Sequence, residues 1–399
     1  MGAHSPPPAT VWRSSGSTAW CTTSAPPRKC SNQVAAHLGG SATRFDPRCP
    51  PDLIHTMVHT TPDPDFQGVV ARLLRVQPED LAFAPLTGGV SSDIWRVDYA
   101  GRTVCAKRAL PRLRVKALWE APVRRNAEEV RWLTIARTCI GEQAGHVIAH
   151  DPDAGVALLE WYPPEQWRNW KEALLAGNVD ARVAAALGEA LGSLNTLAAR
   201  TPAMATEFAN HELFDALRVD PFFRHIAHRY ARMPDVVEHL VTARETLVHG
   251  DFSPKNVLVD RDGAIRILDA ETATFGAAAF DPGYLTAHLL LKHARVWEGA
   301  QVSDHALASQ QALAAAVLNF WQHFRDRLGR IPEKTMPADG RVIDIILAMV
   351  LARIDGKSPV DYLTSAQQDR LRDQASALLA SPIAVTVEQF LERWLDNRI

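Results

Sequence analysis

The sequence predicts an α+β protein of two lobes: a small, β-rich N-terminal lobe over residues 57–160 and a large, mainly helical C-terminal lobe over 161–399. Three observations carry this expectation. Between Leu86 and Tyr162, short β-prone runs alternate with turn residues and a single helical stretch. From Asp180 onward, apolar residues recur at helical spacing over long segments. One hairpin interrupts those helices, formed by Val257–Val259 and Ile265–Leu268 around Asp260-Arg261-Asp262-Gly263.

At 399 residues, with 47% hydrophobic and 22% charged residues, the chain has the composition of a soluble globular protein. Its net charge of −2 gives no global attraction to nucleic acid or to an anionic membrane. No apolar run approaches the roughly 20 residues that span a bilayer. The richest, Ile343 to Ala352, contains Asp344 and reads as a buried helix. The five cysteines show no C-x-x-C spacing, which suggests a reducing cytoplasm and no disulfide framework. Residues 1–56 differ from the rest: they hold eight of the 26 prolines and three of the five cysteines, with no acidic residue before Asp46. Apolar periodicity is absent there, so the segment is expected to be disordered, and Met57 is the expected natural start. A transit peptide or a functional tail would share the composition, but neither an amphipathic helix nor a partner-binding segment stands out.

In chain order, Phe66, Val69, Val70, Leu73 and Leu74 fall on one helical face. Leu86 to Val97 then reads as strand, turn and strand, with Gly88 and Gly89 at the turn. Glycines let a backbone approach phosphate oxygens closely and aim its N–H groups at them, although a Gly-Gly hairpin is commonplace. Thr103 to Lys107 is the next strand, and its lysine follows the glycine pair by about 18 residues. A helix over Val123–Arg137 offers Glu128 and Glu129 as partners for that lysine. Glu129 fits better, lying one turn after Arg125 and one turn before Leu133. Val156 to Tyr162 is a buried strand that turns polar and meets Pro163-Pro164, which suits a crossing between lobes. Backbone groups of Glu160 to Tyr162 could there bind the edge of a base.

Beyond it, Val183, Leu187, Leu191, Leu194 and Ala198 form the core stripe of a helix over Asp180–Ala199. Helical patterns follow over Leu213–Tyr230, Pro234–Arg244, Phe280–Leu291, Asp304–Leu328 and Arg341–Ile354. Arg353 to Pro359 is a charged turn, either a solvated helix end or one wall of a substrate pocket. His225 and His228, three apart, lack further ligands and receive no role.

The stretch with the most chemistry is Leu247-Val248-His249-Gly250-Asp251-Phe252-Ser253-Pro254-Lys255-Asn256, which leads into the hairpin, with Asp269-Ala270-Glu271 after it. An Asp, an Asn five residues on and a returning carboxylate are what phosphoryl transfer from Mg-ATP requires: one acidic group for the acceptor hydroxyl, an amide and a carboxylate for the metal. H-x-D-x-x-x-x-N resembles the protein-kinase catalytic loop, with Gly250 where those enzymes usually carry Arg. His-Gly-Asp with a following D-x-E looks like the aminoglycoside phosphotransferase, choline kinase and methylthioribose kinase group. Lys107-Arg108-Ala109-Leu110-Pro111 and the later Trp119 are closest to the methylthioribose kinase branch.

Over about residues 66–360, the resemblance implies a bilobal protein-kinase-like fold that moves the γ-phosphoryl group of ATP to a hydroxyl of a small polar molecule. It implies Asp251 as base or hydroxyl-orienting group, Asn256 and Asp269 as Mg²⁺ ligands, and Lys107 held by Glu129 as phosphate clamp. Glu271 would join the metal shell, because D-x-E puts it on the same side of an extended strand as Asp269. A non-catalytic nucleotide-binding module is the competing class. A kinase acting on protein side chains is less favoured, because no A-P-E follows Asp269.

Overall fold

The computed structural model describes residues 61–86, 91–112, 122–295, 304–329, 336–381 and 385–396. The expectations for residues 1–56, for the Gly88-Gly89 turn and for Trp119 lie outside the described residues. From Val58 onward the chain forms one compact unit.

The small lobe begins with α1 (Pro64–Leu74). Asp63 caps it by accepting from the Phe66 N–H at 2.9 Å, and Pro64 starts it at a position whose missing N–H costs nothing. Five strands follow: β1 (Ala82–Pro85), β2 (Ser92–Tyr99), β3 (Arg102–Ala109), β4 (Val147–Asp151) and β5 (Val156–Glu160). They form one antiparallel sheet in the order β1-β2-β3-β5-β4. Between β3 and β4 runs α2 (Arg125–Ile140). Phe66, Val70, Trp95, Val97, Val104, Ala106, Val156 and Leu158 pack under α1 as a separate small core. The inward positions of β3 alternate, so Val104 and Ala106 face this core while Cys105 and Lys107 emerge on the other face. That alternation aims Lys107 at the large lobe.

The chain crosses between lobes at Glu160–Tyr162, then forms β6 (Arg168–Asn169), α3 (Trp170–Leu175) and α4 (Ala181–Arg200). All five stripe residues of α4 are buried, and its N-cap Asp180 accepts from the Arg182 N–H at 2.9 Å. Helix α9 (Asp304–Leu328) crosses α4 so tightly that a Cβ at Gly188 would lie 2.3 Å from the Phe320 carbonyl oxygen. Between them come α5 (Met204–Glu207), α6 (His211–Phe214), α7 (Met233–Thr242) and α8 (Phe280–Ala294). The predicted hairpin is β8 (Val257–Val259) with β9 (Ile265–Ile267). A second pair joins β7 (Thr246–Val248) to β10 (Thr274–Gly276). Helices α10 (Asp339–Asp355), α11 (Ser365–Ala380) and α12 (Val387–Leu395) complete the lobe, the last two opened by capping boxes at Thr364 and Thr386.

Residues 213–230 depart from the single helical run expected there. After α6, Asp215–Phe223 is a π-helix and Arg224–Arg229 a 3₁₀ segment. Pro221 is the physical reason: it has no N–H to give Leu217 four residues back, and its ring would crowd that carbonyl. The Leu217 carbonyl accepts from the Arg218 Nη1 at 2.8 Å.

Candidate active site

The loop after β7 is held from below. Asp281, in the first turn of α8, accepts from the N–H groups of His249 at 2.6 Å and Gly250 at 3.1 Å. The His249 ring is buried 4.7 Å from the Trp132 ring. Its Nδ1 accepts from the Asp251 N–H at 3.1 Å, so its Nε2 carries the hydrogen and donates to the Leu268 carbonyl at 3.1 Å. Burial pushes its pKa down to about 4, which keeps the ring neutral and both bonds intact at neutral pH. His249 thus locks the loop to the strand exit that carries Asp269.

Gly250 has φ +81°, and a Cβ there would sit 2.5 Å from Thr272 Oγ1 and 2.7 Å from the Thr272 carbonyl. No arginine fits at this position. One arrives from the π-helix instead: Arg218 gives Nε to the Gly250 carbonyl at 2.6 Å and Nη2 to Asp251 Oδ2 at 2.8 Å. Asp251 is 1% exposed and also meets Lys255 Nζ at 2.9 Å, while Tyr284 Oη donates to its Oδ1 at 3.1 Å. Burial alone would raise its pKa. The charges of Arg218 and Lys255 overcome that and hold the carboxyl well below the usual carboxylate range. Asn256 donates Nδ2 to the Asp251 carbonyl at 2.9 Å, which leaves its amide oxygen as the atom available to a cation.

Across the cleft, Lys107 Nζ lies 2.7 Å from Glu129 Oε2 and is hydrogen-bonded to Asp269 Oδ1. Burial disfavours the ammonium, but Asp269 and Glu129 outweigh it and keep Lys107 charged. Glu128 faces away and pairs with Arg131 at 2.6 Å. Asp269 has φ +65°, a left-handed backbone that a non-glycine residue rarely adopts. Its side chain remains 27% exposed, the least enclosed of these carboxylates.

The extended D-x-E strand expected from the sequence is not present. β9 ends at Ile267 and Asp269 turns the chain. Glu271 is 6% exposed, and its Oε2 accepts from Arg125 Nε at 3.1 Å. Arg125 is fully buried at the start of α2. It also donates to the carbonyls of Pro122 at 3.0 Å, of Leu110 at 2.6 Å and of Ser91. Glu271 is therefore the far end of a strut that joins β2, β3 and α2 to the Asp269 turn.

Six of the residues singled out from sequence, Lys107, Glu129, Asp251, Asn256, Asp269 and Glu271, converge on one cleft. Glu160 and Tyr162 lie at the crossing between lobes, where the Tyr162 Oη donates to Glu160 Oε2 at 3.1 Å and accepts from the His146 N–H at 3.2 Å. Arg125, Arg218, Lys255 and Tyr284 belong to the site without having been assigned to it. Arg218 carried a signal, an arginine inside the mostly apolar run Leu217 to Phe223, which otherwise holds only Asp220 as a charge. Among the described residues no three His, Cys, Asp or Glu side chains form a preformed metal cage. An amide oxygen and a carboxylate suit a hard cation that arrives on phosphates.

The match to known proteins covers this whole site. The chain belongs to the phosphotransferase enzyme family, whose model matches residues 82–315, from β1 into α9. It is 27% identical to a methylthioribose kinase of Pectobacterium atrosepticum over 291 residues, 64% of this chain and 72% of that one. It is 26% identical to the methylthioribose kinase of Yersinia pseudotuberculosis over 263 residues, 58% of this chain and 64% of that one. A glucosamine kinase solved with glucosamine, ADP and inorganic phosphate is 18% identical, covering 84% of this chain and 87% of that one with a TM-score of 0.45. No described helix is long and apolar enough to cross a membrane.

Proposed function

We propose that this phosphotransferase moves the γ-phosphoryl group of ATP to a hydroxyl of a small polar molecule. The observation that supports this most is the convergence of Lys107 from β3 with Asp251, Asn256 and Asp269 from the loops around β8 and β9. Lys107, oriented by Glu129, holds the α- and β-phosphates. The backbone of Glu160 to Tyr162 meets the adenine edge. Asn256 and Asp269 would hold Mg²⁺, and the bound ion would supply neutralisation of charge on the transferred group.

Asp251 is an ionised but weak base, since Arg218 and Lys255 already satisfy its charge. Its contribution is to accept a hydrogen bond from the acceptor hydroxyl and aim that oxygen at phosphorus. The new P–O bond forms as the bond to the β,γ-bridging oxygen breaks. ADP leaves with that oxygen, and the hydroxyl proton ends on the product phosphate or solvent.

The test separates chemistry from binding. Asp251→Asn keeps shape but loses the charge that aligns the hydroxyl, so turnover should fall by about 10² to 10⁴-fold with ATP affinity within a few-fold. Asp269→Asn should lose both rate and Mg-ATP affinity. Calorimetric ATP binding beside turnover, with an acceptor found by screening sugars, amino alcohols and aminoglycosides, measures both. Near-full turnover in Asp251→Asn would sink the assignment.

A further inference from the structure

Helix α8 leaves the site with a polar stripe at i, i+4 and i+8: Tyr284, His288 and Lys292. Tyr284 touches Asp251, and its ring lies 5.0 Å from the His288 ring. Lys292 is 3% exposed, donates Nζ to the His288 carbonyl at 3.1 Å and sits 5.4 Å from the Tyr362 ring centre. A lysine ammonium has three donors, and only one is used here. Two more donors nearby are buried without a partner, the Tyr362 Oη and the Arg353 Nε. The charges that act on Lys292 are those of Lys171 and Arg353, both positive. Asp361 acts on Tyr362 but does not contribute at Lys292. The buried Lys292 ammonium thus lies with the buried Arg353 Nε and Tyr362 Oη, and among the described residues no carboxylate pairs with Lys292 or Arg353, whose Nη1 is held by Ser358; burying such charge uncompensated is costly.

We propose that the acceptor is a small hydroxy acid, its hydroxyl at Asp251 and its carboxylate between Lys292, Tyr362 and Arg353. This rests on the phosphotransfer reading above and names the acceptor class within it. His288 lies between the two ends, its ring 5.0 Å from that of Tyr284 and its carbonyl accepting from Lys292 Nζ at 3.1 Å. The rise of α8 sets the span. Eight residues of α8, about 12 Å, separate Tyr284 from Lys292, and Nζ reaches back one turn to the His288 carbonyl, so five- to seven-carbon polyhydroxy acids are the acceptors to test. A polycationic acceptor would meet Lys171, Lys292 and Arg353, whereas Asp251 is already neutralised by Arg218 and Lys255. Arg353 and Tyr362 lie beyond the segment matched by the family model.

The experiment follows ADP release by the full chain with Mg-ATP and acceptors of matched skeleton. These are gluconate and other five- to seven-carbon aldonates and uronates, the corresponding neutral alditols such as sorbitol, and their amino counterparts. The acids should be preferred at least 10-fold in kcat/KM. Lys292→Gln should raise KM for the acids at least 10-fold with kcat nearly unchanged and leave KM for alditols within twofold. Lys292→Arg should restore most of the loss. Preference for a neutral or amino acceptor, or equal effects of Lys292→Gln on acids and alditols, overturns the proposal. Should no acceptor turn over, calorimetry of the acids with a non-hydrolysable ATP analogue decides, and absence of binding overturns it. The two readings fail separately. Asp251-dependent transfer to an alditol or amine would sink only the hydroxy-acid proposal, while turnover indifferent to Asp251 would sink the phosphotransfer reading.

Discussion

Single residues in this cleft are chosen by what their neighbours leave them. Gly250 is glycine because its backbone is left-handed and Thr272 occupies the space of a side chain. Lys292 is the opposite case, a charge kept where the surroundings disfavour it. Burial, with repulsion from Lys171 and Arg353, pushes its pKa down to about 7 from an ordinary 10.5. Its other neighbours bring no compensating titration near neutrality: His288 is neutral, because its pKa is held well below 6.5, and burial pushes the Tyr362 phenol up. The unfolded chain therefore binds more protons than the folded one between about pH 7 and 10.5, so stability must rise with pH across that window. The cost is fully present below pH 7 and fades toward pH 10.5. Lys292→Met, without ligand, should accordingly raise the melting temperature most at pH 6–7, by an amount worth a few kcal/mol at most, with the gap to wild type closing as pH rises. Melting curves from pH 6 to 9 measure this. A gap that stayed flat or widened would show that Lys292 is not a buried charge.

At the level of elements, local signals were legible and tertiary ones were not. The α4 stripe and the β8–β9 hairpin follow from neighbours in sequence, so their bounds fall within a residue or two of expectation. Residues 213–230 kept a helical apolar pattern, but Pro221 turned part of that run into a π-helix, and periodicity alone does not register a missing N–H. The Arg218–Asp251 pair spans 33 residues, so no local pattern announces it. D-x-E was misread for a related reason: the positive φ of Asp269 breaks the alternation that would have placed Glu271 beside it. Helix α2 shows how far a local argument can reach. Glu128 and Glu129 are adjacent and chemically equal, yet about 100° apart around the axis, so only one can face β3. Glu129 is the one beside Lys107, at 1% exposure. Glu129→Gln should thus raise KM for ATP by about tenfold or more, as expected when a buried charged hydrogen-bond partner is lost. Glu128→Gln, which loses only a half-exposed pair with Arg131, should stay within twofold. Steady-state kinetics at saturating acceptor distinguish them, and equal effects would remove Glu129 from its role.

For the whole molecule, the decisive feature is that the groups proposed to hold the nucleotide come from both lobes of one compact unit. Lys107 and Glu129 belong to the small lobe, and Asn256 and Asp269 to the large one, with Arg125 bridging from α2 to Glu271. A ligand that touches both lobes stabilises the assembly, because unfolding either one abolishes its site. Linkage sets the scale: nucleotide at 100 times its Kd contributes about 2.7 kcal/mol to stability. Mg-ATP should therefore raise the melting temperature of the full chain as one cooperative transition. ATP with excess chelator should raise it much less, since Asn256 and Asp269 would then face the phosphates without the cation between them, and Asp269 would repel them. The variants sharpen the comparison. Asp269→Asn should lose most of the Mg-dependent part of the shift. Asp251→Asn should keep it, because the proposed role of that carboxylate is toward the acceptor and not the nucleotide. Thermal melts of the three proteins, with and without Mg²⁺, read all of this from stability alone. An ATP shift that was the same with and without the cation would reject Asn256 and Asp269 as metal ligands, whatever the kinetics showed.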